Sequence, residues 1–286
     1  MPQIINTNLV SLNAQRNMNM SASSLATSMQ RLSSGLRVNS SKDDAAGLSI
    51  AERMNAQVRG MNVAVRNAND GISLAQTAEG AMSQVGDALQ RMRELAVQAR
   101  NSTNSSSDLD SLDKEFGELA KEIQRVVGGT TFNGKHIIGS EAGSLTFQVG
   151  ANTSSDDTID LATSNLSTSQ LSSVAGTDNT GAGRAVIDST ATSGALATVI
   201  NNIDSAIDFV NSQRATMGAA QNRFTAVISN LQVAVESQTA ARSRIMDADF
   251  ASETANLSRS QILQQAGSAM VAQANQLPQQ VLSLLR

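Results

Sequence analysis

The chain has 286 residues with 21 Lys+Arg against 25 Asp+Glu, a formal net charge of -4 that excludes the broad positive field on which nucleic-acid and anionic-membrane binding depend. Zero Cys excludes disulfides, thiol catalysis, iron–sulfur clusters and Cys-type zinc sites, and the single His excludes any centre needing two imidazoles from one chain. Two Pro and 2% aromatic residues disfavour a large β-sandwich and favour long helices packed along their sides.

No stretch approaches the ~20 continuous apolar residues of a membrane span, so no membrane insertion is expected. From Met1 to Asn19 the first positive charge is Arg16 and the apolar residues are spaced. This reads as no cleavable signal peptide. The first helical pattern holds Ile5, Leu9 and Leu12, then Leu25, Met29, Leu32 and Leu36, at spacings of three and four. Asn13 to Ser24 between them, rich in Asn and Ser, predicts weaker helix. Ser33-Ser34-Gly35 and Asn39-Ser40-Ser41 are turn and cap chemistry, and Asp43-Asp44 suit a helix N-terminus. They predict a joint. A long helix follows from about Ala45 to about Arg100, with Val58, Met61, Val65, Ala68, Ile72 and Ala75, then Val85, Leu89, Met92, Ala96 and Ala99. At ~1.5 Å per residue it is a rod of order 80 Å. Gly60, Gly71, Gly80 and Gly86 weaken it and let neighbouring helices approach.

Asn101 to Ser107 is a polar turn, and Leu109, Leu112, Phe116, Leu119, Ile123 and Val126 mark an antiparallel helix that Gly128-Gly129 ends. Asn133-Gly134 is a hairpin signal, and Leu145, Phe147 and Val149 alternate as a half-buried strand. Ala151 to Gly194, dominated by Ser, Thr, Asp, Asn and Gly, reads as small β elements and loops with little core. Helix returns near Ala195, with Ile203, Ile207, Val210, Met217, Phe224, Ile228, Leu231 and Val235 on one ladder and Arg214 and Gln221 as polar rungs. Arg242 to Asp249 is a second joint. The last helix carries Leu263, Ala266, Met270, Ala274, Leu277, Val281 and Leu284, with a bend expected at Pro278. The near-palindromic order predicts a mainly α fold: a hairpin-shaped elongated helical bundle or coiled coil with a small β region at the distal end.

A terminal helix pair alone buries too little to offset ordering its residues at ~1–2 kcal/mol each. The ends are therefore expected to fold against other copies of the chain, making Ile5, Leu9, Leu12, Leu263, Met270, Leu277, Val281 and Leu284 a polymerisation seam.

Several blocks carry a family likeness. Ile5-Asn6-Thr7-Asn8, Leu32-Ser33-Ser34-Gly35-Leu36-Arg37-Val38-Asn39 and Lys42-Asp43-Asp44-Ala45-Ala46-Gly47-Leu48 resemble bacterial flagellins. So do Arg244-Ile245-Met246-Asp247-Ala248-Asp249-Phe250 and Ala272-Gln273-Ala274-Asn275-Gln276. The likeness covers roughly residues 1–140 and 196–286. It implies an inner coiled-coil layer from 1–44 and 243–286, rod helices and a β-hairpin with a short variable region in 45–195, and a rod helix in 196–242. Outer domains of longer members are expected to be absent or vestigial. It implies a homopolymeric filament in the extracellular flagellum, type III export without a cleaved signal peptide, an export chaperone on the C-terminal segment, and cap and hook-associated partners. Leu89 to Gln98 resembles the patch that Toll-like receptor 5 recognises, which carries over to Gln90, Arg91, Leu95 and Glu115. Helical geometry sets Arg91, Leu95 and Gln98 beside the apolar stripe, so an exposed Leu95 is expected. The alternative is that Leu95 packs against another subunit.

His136 reads as a surface or hydrogen-bonding residue. Asp43-Asp44, Asp156-Asp157 and Asp247/Asp249 read as caps rather than a cation site, and Met61, Met92 and Met217 as core fillers. The stretch from Thr153 to Thr198 is either solvated loop or an O-glycosylation region. No cofactor and no enzymatic activity are expected. The rival readings are a hook–filament junction protein and a non-flagellar helical adaptor.

Overall fold

The computed structural model describes residues 7–168 and 170–284, with side chains through residue 276. Among them the helices are α1 Leu9–Ser34, α2 Ala45–Ala99, α3 Ser106–Gly129, the single turn α4 Ser172–Ala175, α5 Ser193–Met246 and α6 Phe250–Leu284. Strands β1 Thr131–Phe132 and β2 Lys135–His136 form one antiparallel pair, and β3 Ser144–Gln148 and β4 Thr158–Ala162 another. The mainly α class is as expected. No described helix is long and apolar enough to cross a membrane.

The residues fall into two compact units, one comprising the chain up to Ala56 and from Glu236 onward, the other Gln57–Val235. The divisions lie inside α2 and α5. The reason is packing at the joints. Val38, Ala51 and Met246 are buried together, with Leu36, Leu48 and Ile245 against them, so the first turns of α2 belong to the joint's own small core. The second joint is also shorter than the sequence implied, because α5 stays helical through Met246.

In the Gln57–Val235 unit the 3/4 ladders meet in a large core and a smaller one, the latter made by Ala68 and Phe224 with Val149 and Ile159. Met82, Val85, Leu89 and Met92 of α2 pack with Phe116, Ala120 and Ile123 of α3 and Ile203, Val210 and Met217 of α5. Ser105 starts α3 with a capping box: its hydroxyl accepts from the Asp108 N–H, and its own N–H donates to the Asp108 carboxylate at 2.9 Å. Asn133 (φ 49) and Gly134 (φ 81) turn β1 into β2 as the Asn-Gly signal predicts.

The segment from Ala151 to Gly194 departs from the sequence reading. It was expected to carry little core, yet Ile159, Leu161, Leu166, Leu171, Val174, Ala175 and Ile187 are all buried. Ile159 and Leu161 alternate inward on β4, Val174 and Ala175 sit on the single turn α4, and Leu166, Leu171 and Ile187 enter the core singly. A polar clamp holds that chain in place. Arg184 donates both terminal nitrogens to the Asp113 carboxylate of α3, at 2.9 and 2.5 Å, and the Ile187 N–H donates to the same carboxylate at 2.9 Å. Burial pushes the Asp113 carboxyl up, but the Arg184 and Ile187 donors outweigh it and leave it below the usual carboxylate range.

Two of the four glycines expected to admit neighbours do so. A Cβ at Gly60 would lie 2.9 Å from that of Ala151, and one at Gly71 would lie 2.7 Å from Cζ of Phe224. Gly80 and Gly86 face open space. Phe224 is fully buried and meets Phe147 edge-on, with ring centroids 5.4 Å apart at 81°. Its ring therefore has little room to retreat. Gly71→Ala gains up to ~1 kcal/mol of helix propensity. It also overpacks a site where such changes cost ~1–3 kcal/mol. We expect a net fall in the thermal unfolding midpoint; a rise would show that the ring gives way.

Candidate functional site

The terminal helices were expected to carry the function, and their sequences decide how they meet. α1 starts at Asn8, whose side chain accepts from the Ser11 N–H, and ends at Gly35, whose φ of 71° closes the helix in the left-handed region. The Asn8 amide donates to the Ala274 carbonyl at 2.7 Å, and the Ser11 hydroxyl to Asn275 at 2.7 Å. Met18 lies against Gly267, and Arg31 approaches Glu253 at 3.9 Å. Numbers rise along α1 as they fall along α6, so the pair is antiparallel.

The row of α1 facing α6 runs Ser11, Ala14, Met18, Ser21, Leu25, Ser28 and Leu32, alternating three and four. The answering row of α6 includes Glu253, Leu257, Ser260, Gly267, Val271 and Ala274. Both rows are mostly small or polar. Met18, Leu25, Leu32, Leu257 and Val271 are the larger apolar members of these rows, and others are left out of them: Leu9 is 64% exposed, and Val10, Leu12, Phe250, Ile262 and Leu263 are each about half exposed or more. Of the heptad expected on α1, Leu25 and Leu32 lie on the face turned to α6, whereas Leu9, Leu12 and Met29 are exposed. The small side chains between them allow the two helices to approach closely. Between the helices lies a cleft of ≈ 730 Å³ whose walls include Ser24, Ser28, Ser260 and Leu263. Of the expected seam, Leu9, Leu12, Leu263 and Met270 are exposed. Ile5 lies outside the described residues, as do the side chains of Leu277, Val281 and Leu284.

The joint fixes where the two helices begin and end. The Ala248 N–H donates to the Gly35 carbonyl at 2.9 Å and the Arg37 N–H to the Met246 carbonyl at 2.6 Å. The Arg37 guanidinium caps the end of α5 by donating to the Ile245 carbonyl at 3.2 and 2.7 Å. Asp43, Asp44 and Asp249 act as caps, as read, while Asp247 accepts from the Ser243 hydroxyl. Asp43 accepts from the Ser40 and Asn39 N–H groups, which lower its carboxyl below the usual range, and Asp44 accepts from the Gly47 N–H at 2.7 Å. No group of three His, Asp or Glu suited to a metal occurs among the described residues.

The second candidate patch lies on α2 and α3. Arg91 donates through Nε and Nη2 to Glu115 at 2.9 and 2.7 Å, and through Nη1 to Glu94 at 2.9 Å. Glu115 first, then Glu94, raise the guanidinium further above its ordinary value. Gln90 is exposed beside it. Leu95 is not: it is 1% exposed and belongs to the core shared by α2, α3 and α5. The expected exposure failed because the stripe was drawn too narrow. A helix covered by two neighbours buries a wider arc than one seam, and Leu95 falls inside it.

Residues 5–142 match a family profile described as the bacterial flagellin N-terminal helical region, and residues 200–285 one described as the bacterial flagellin C-terminal helical region. The chain is 45% identical over 285 residues to a flagellin of Halalkalibacterium halodurans, spanning 99% of this chain and 100% of that one. It is 42% identical over 321 residues to a flagellin of Xenorhabdus nematophila, spanning 100% of each. In fold it resembles a solved flagellar hook-associated protein from Vibrio parahaemolyticus, with TM-score 0.60 at 12% identity over 72% of this chain and 100% of that one.

The burial of Leu95 separates contact from support. Leu95→Ala is expected to cost ~2–5 kcal/mol of stability. Arg91→Ala should leave the unfolding midpoint essentially unchanged. Thermal unfolding of both variants checks this, and equal midpoints would contradict the assignment of Leu95 to the core.

Proposed function

Because the chain belongs to the bacterial flagellin family, a filament-forming structural protein and not an enzyme, we propose that the outward apolar residues of α1 and α6 are the seam through which copies polymerise. The observation that carries this reading is the mismatch of faces: α1 and α6 spend their small residues on each other and leave Leu9, Leu12, Leu263 and Met270 uncovered. Exposed apolar surface of this extent marks an interaction site. Covering it at ~25 cal/mol per Å² stabilises the assembly. The terminal segments complete their folding on joining the filament. Ile5, Leu277, Val281 and Leu284 extend the same seam, and the inner layer is formed by residues 1–44 and 243–286.

The remaining parts of the reading follow from family membership. Export proceeds through the flagellar type III channel without a cleaved signal peptide, an export chaperone shields the C-terminal segment, and growth occurs beneath a cap protein on a hook-associated base. Identity of 45% along the whole chain to a flagellin, against 12% to the hook-associated protein, favours the filament subunit over the junction protein. In the unassembled chain, Gln90, Arg91 and Glu115 form the surface offered to Toll-like receptor 5, with Leu95 holding the helices beneath them.

Leu9→Glu and Leu263→Glu are each expected to abolish elongation from added filament seeds while leaving the monomer's thermal midpoint unchanged. Filaments of normal length from either variant, seen by electron microscopy, would refute the seam.

A further inference from the structure

Five of the described methionines are buried, three are exposed, and Met18 and Met54 lie between. Met61, Met82, Met92, Met217 and Met246 are buried, as befits core fillers. Met20, Met29 and Met270 are 56%, 57% and 58% exposed, and all three lie on the terminal helices. Met20 sits three helical turns from the exposed Leu9 on the same side of α1, and Met270 one heptad from the exposed Leu263 on α6. Thioethers are thus part of the uncovered apolar surface of the lone chain.

We propose that Met20, Met29 and Met270 are modification sites for peroxide, and that their sulfoxidation bars a chain from assembly. This rests on the reading of α1 and α6 as the polymerisation seam. The oxidant is hydrogen peroxide. A lone pair of the thioether sulfur attacks one peroxide oxygen and forms an S–O bond as the O–O bond breaks. The departing hydroxide takes up the remaining proton and leaves as water; sulfur is oxidised by two electrons and peroxide is reduced by two. The product replaces a flexible apolar side chain with a polar, chiral sulfinyl group. In the free chain water solvates that group at no cost. In an assembled seam it loses water and faces apolar neighbours, which disfavours incorporation. The filament protects the same sulfurs, so the modification discriminates against damaged chains before they join and spares those already in place.

The buried methionines serve as internal standards. Monomer and assembled filament are treated with hydrogen peroxide and mapped by peptide mass spectrometry. Met20, Met29 and Met270 should oxidise well ahead of Met82, Met92 and Met217 in the monomer and be protected about tenfold or more in the filament, a ratio that reports on burial at the seam. Oxidised monomer should elongate seeds about tenfold more slowly, and methionine sulfoxide reductases of both stereospecificities should restore the rate. A Met20→Leu/Met29→Leu/Met270→Leu triple variant, close to volume-conserving, should elongate normally and resist peroxide. Equal oxidation in monomer and filament, normal elongation by fully sulfoxidised chains, or peroxide loss undiminished in the triple variant would each overturn the proposal. Leu263→Glu runs alongside: if it elongates normally the seam itself is wrong, whereas if it fails while sulfoxidised chains elongate, only the methionine proposal falls.

Discussion

Two helices that lie close together must agree about what stands between them. Where α1 meets α6 the shared row is mostly small or polar, with Ser11, Ala14, Ser21 and Ser28 on one side and Ser260, Gly267 and Ala274 on the other, and with Met18, Leu25, Leu32, Leu257 and Val271 as its larger members. The small residues permit close approach and hydrogen bonding, but they bury little apolar area. The chain nonetheless carries Leu9, Val10, Leu12, Ile262 and Leu263 on these helices. With that row mostly small or polar, these residues are left about half exposed or more. On the proposed reading, the free energy available in that surface is released when another copy covers it.

The Gln57–Val235 unit shows the opposite arrangement. Its ladders bring large residues inward, with Phe116, Phe224, Met82, Leu89, Met92 and Leu95 among its most deeply buried side chains. Polar ties lie at the margins: Arg91 with Glu115, Arg93 with Asp204 at 2.6 Å, and Gln221 with Glu79 at 2.8 Å. The two exposed arginine–carboxylate pairs add little stability and serve mainly to fix register between helices. That unit satisfies itself. One periodicity, three and four, therefore serves two ends within one chain, and what separates them is the size of the residues on the inner row rather than the spacing.

Much of this was legible beforehand. The long ladders placed α2, α3 and α5 within a few residues of their observed ends, Asn133-Gly134 announced its hairpin, and Asp43, Asp44 and Asp249 at the joints cap N–H groups as read. What escaped had physical causes. Periodicity gives a stripe but not its width, so Leu95 was placed outside a core that two neighbouring helices had widened to include it. Apolar spacing also cannot say which of two faces turns inward when one is small and the other large. On α1 the expected heptad runs through Leu9, Leu12 and Met29 as well as Leu25 and Leu32, while the packed row keeps only the last two and fills in with Met18, Ser and Ala. The buried residues between Ala151 and Gly194 were invisible for a third reason. Their positions depend on pairings distant or irregular in sequence: β4 against β3 for Ile159 and Leu161, and for the chain around Ile187 a clamp, Arg184 on Asp113, whose partners are 71 residues apart.

The joint decides which face ends up outside. A helix pair held mostly by a row of small residues slides easily, since a Ser or Ala fits nearly as well one turn along. A slip by one residue rotates a helix by about 100° and carries Leu9 or Leu263 toward the partner. The joint prevents this from one end. Gly35 closes α1 with a positive φ, its carbonyl takes the Ala248 N–H, and the Arg37 N–H takes the Met246 carbonyl, so the last turn of α1 and the first of α6 are set in fixed phase by backbone bonds. Asn8 and Ser11 repeat the check at the far end through Ala274 and Asn275. Backbone and amide hydrogen bonds are directional where apolar contact is not. They supply the register that the small-residue row lacks, and with it a defined outward face for the next copy to meet.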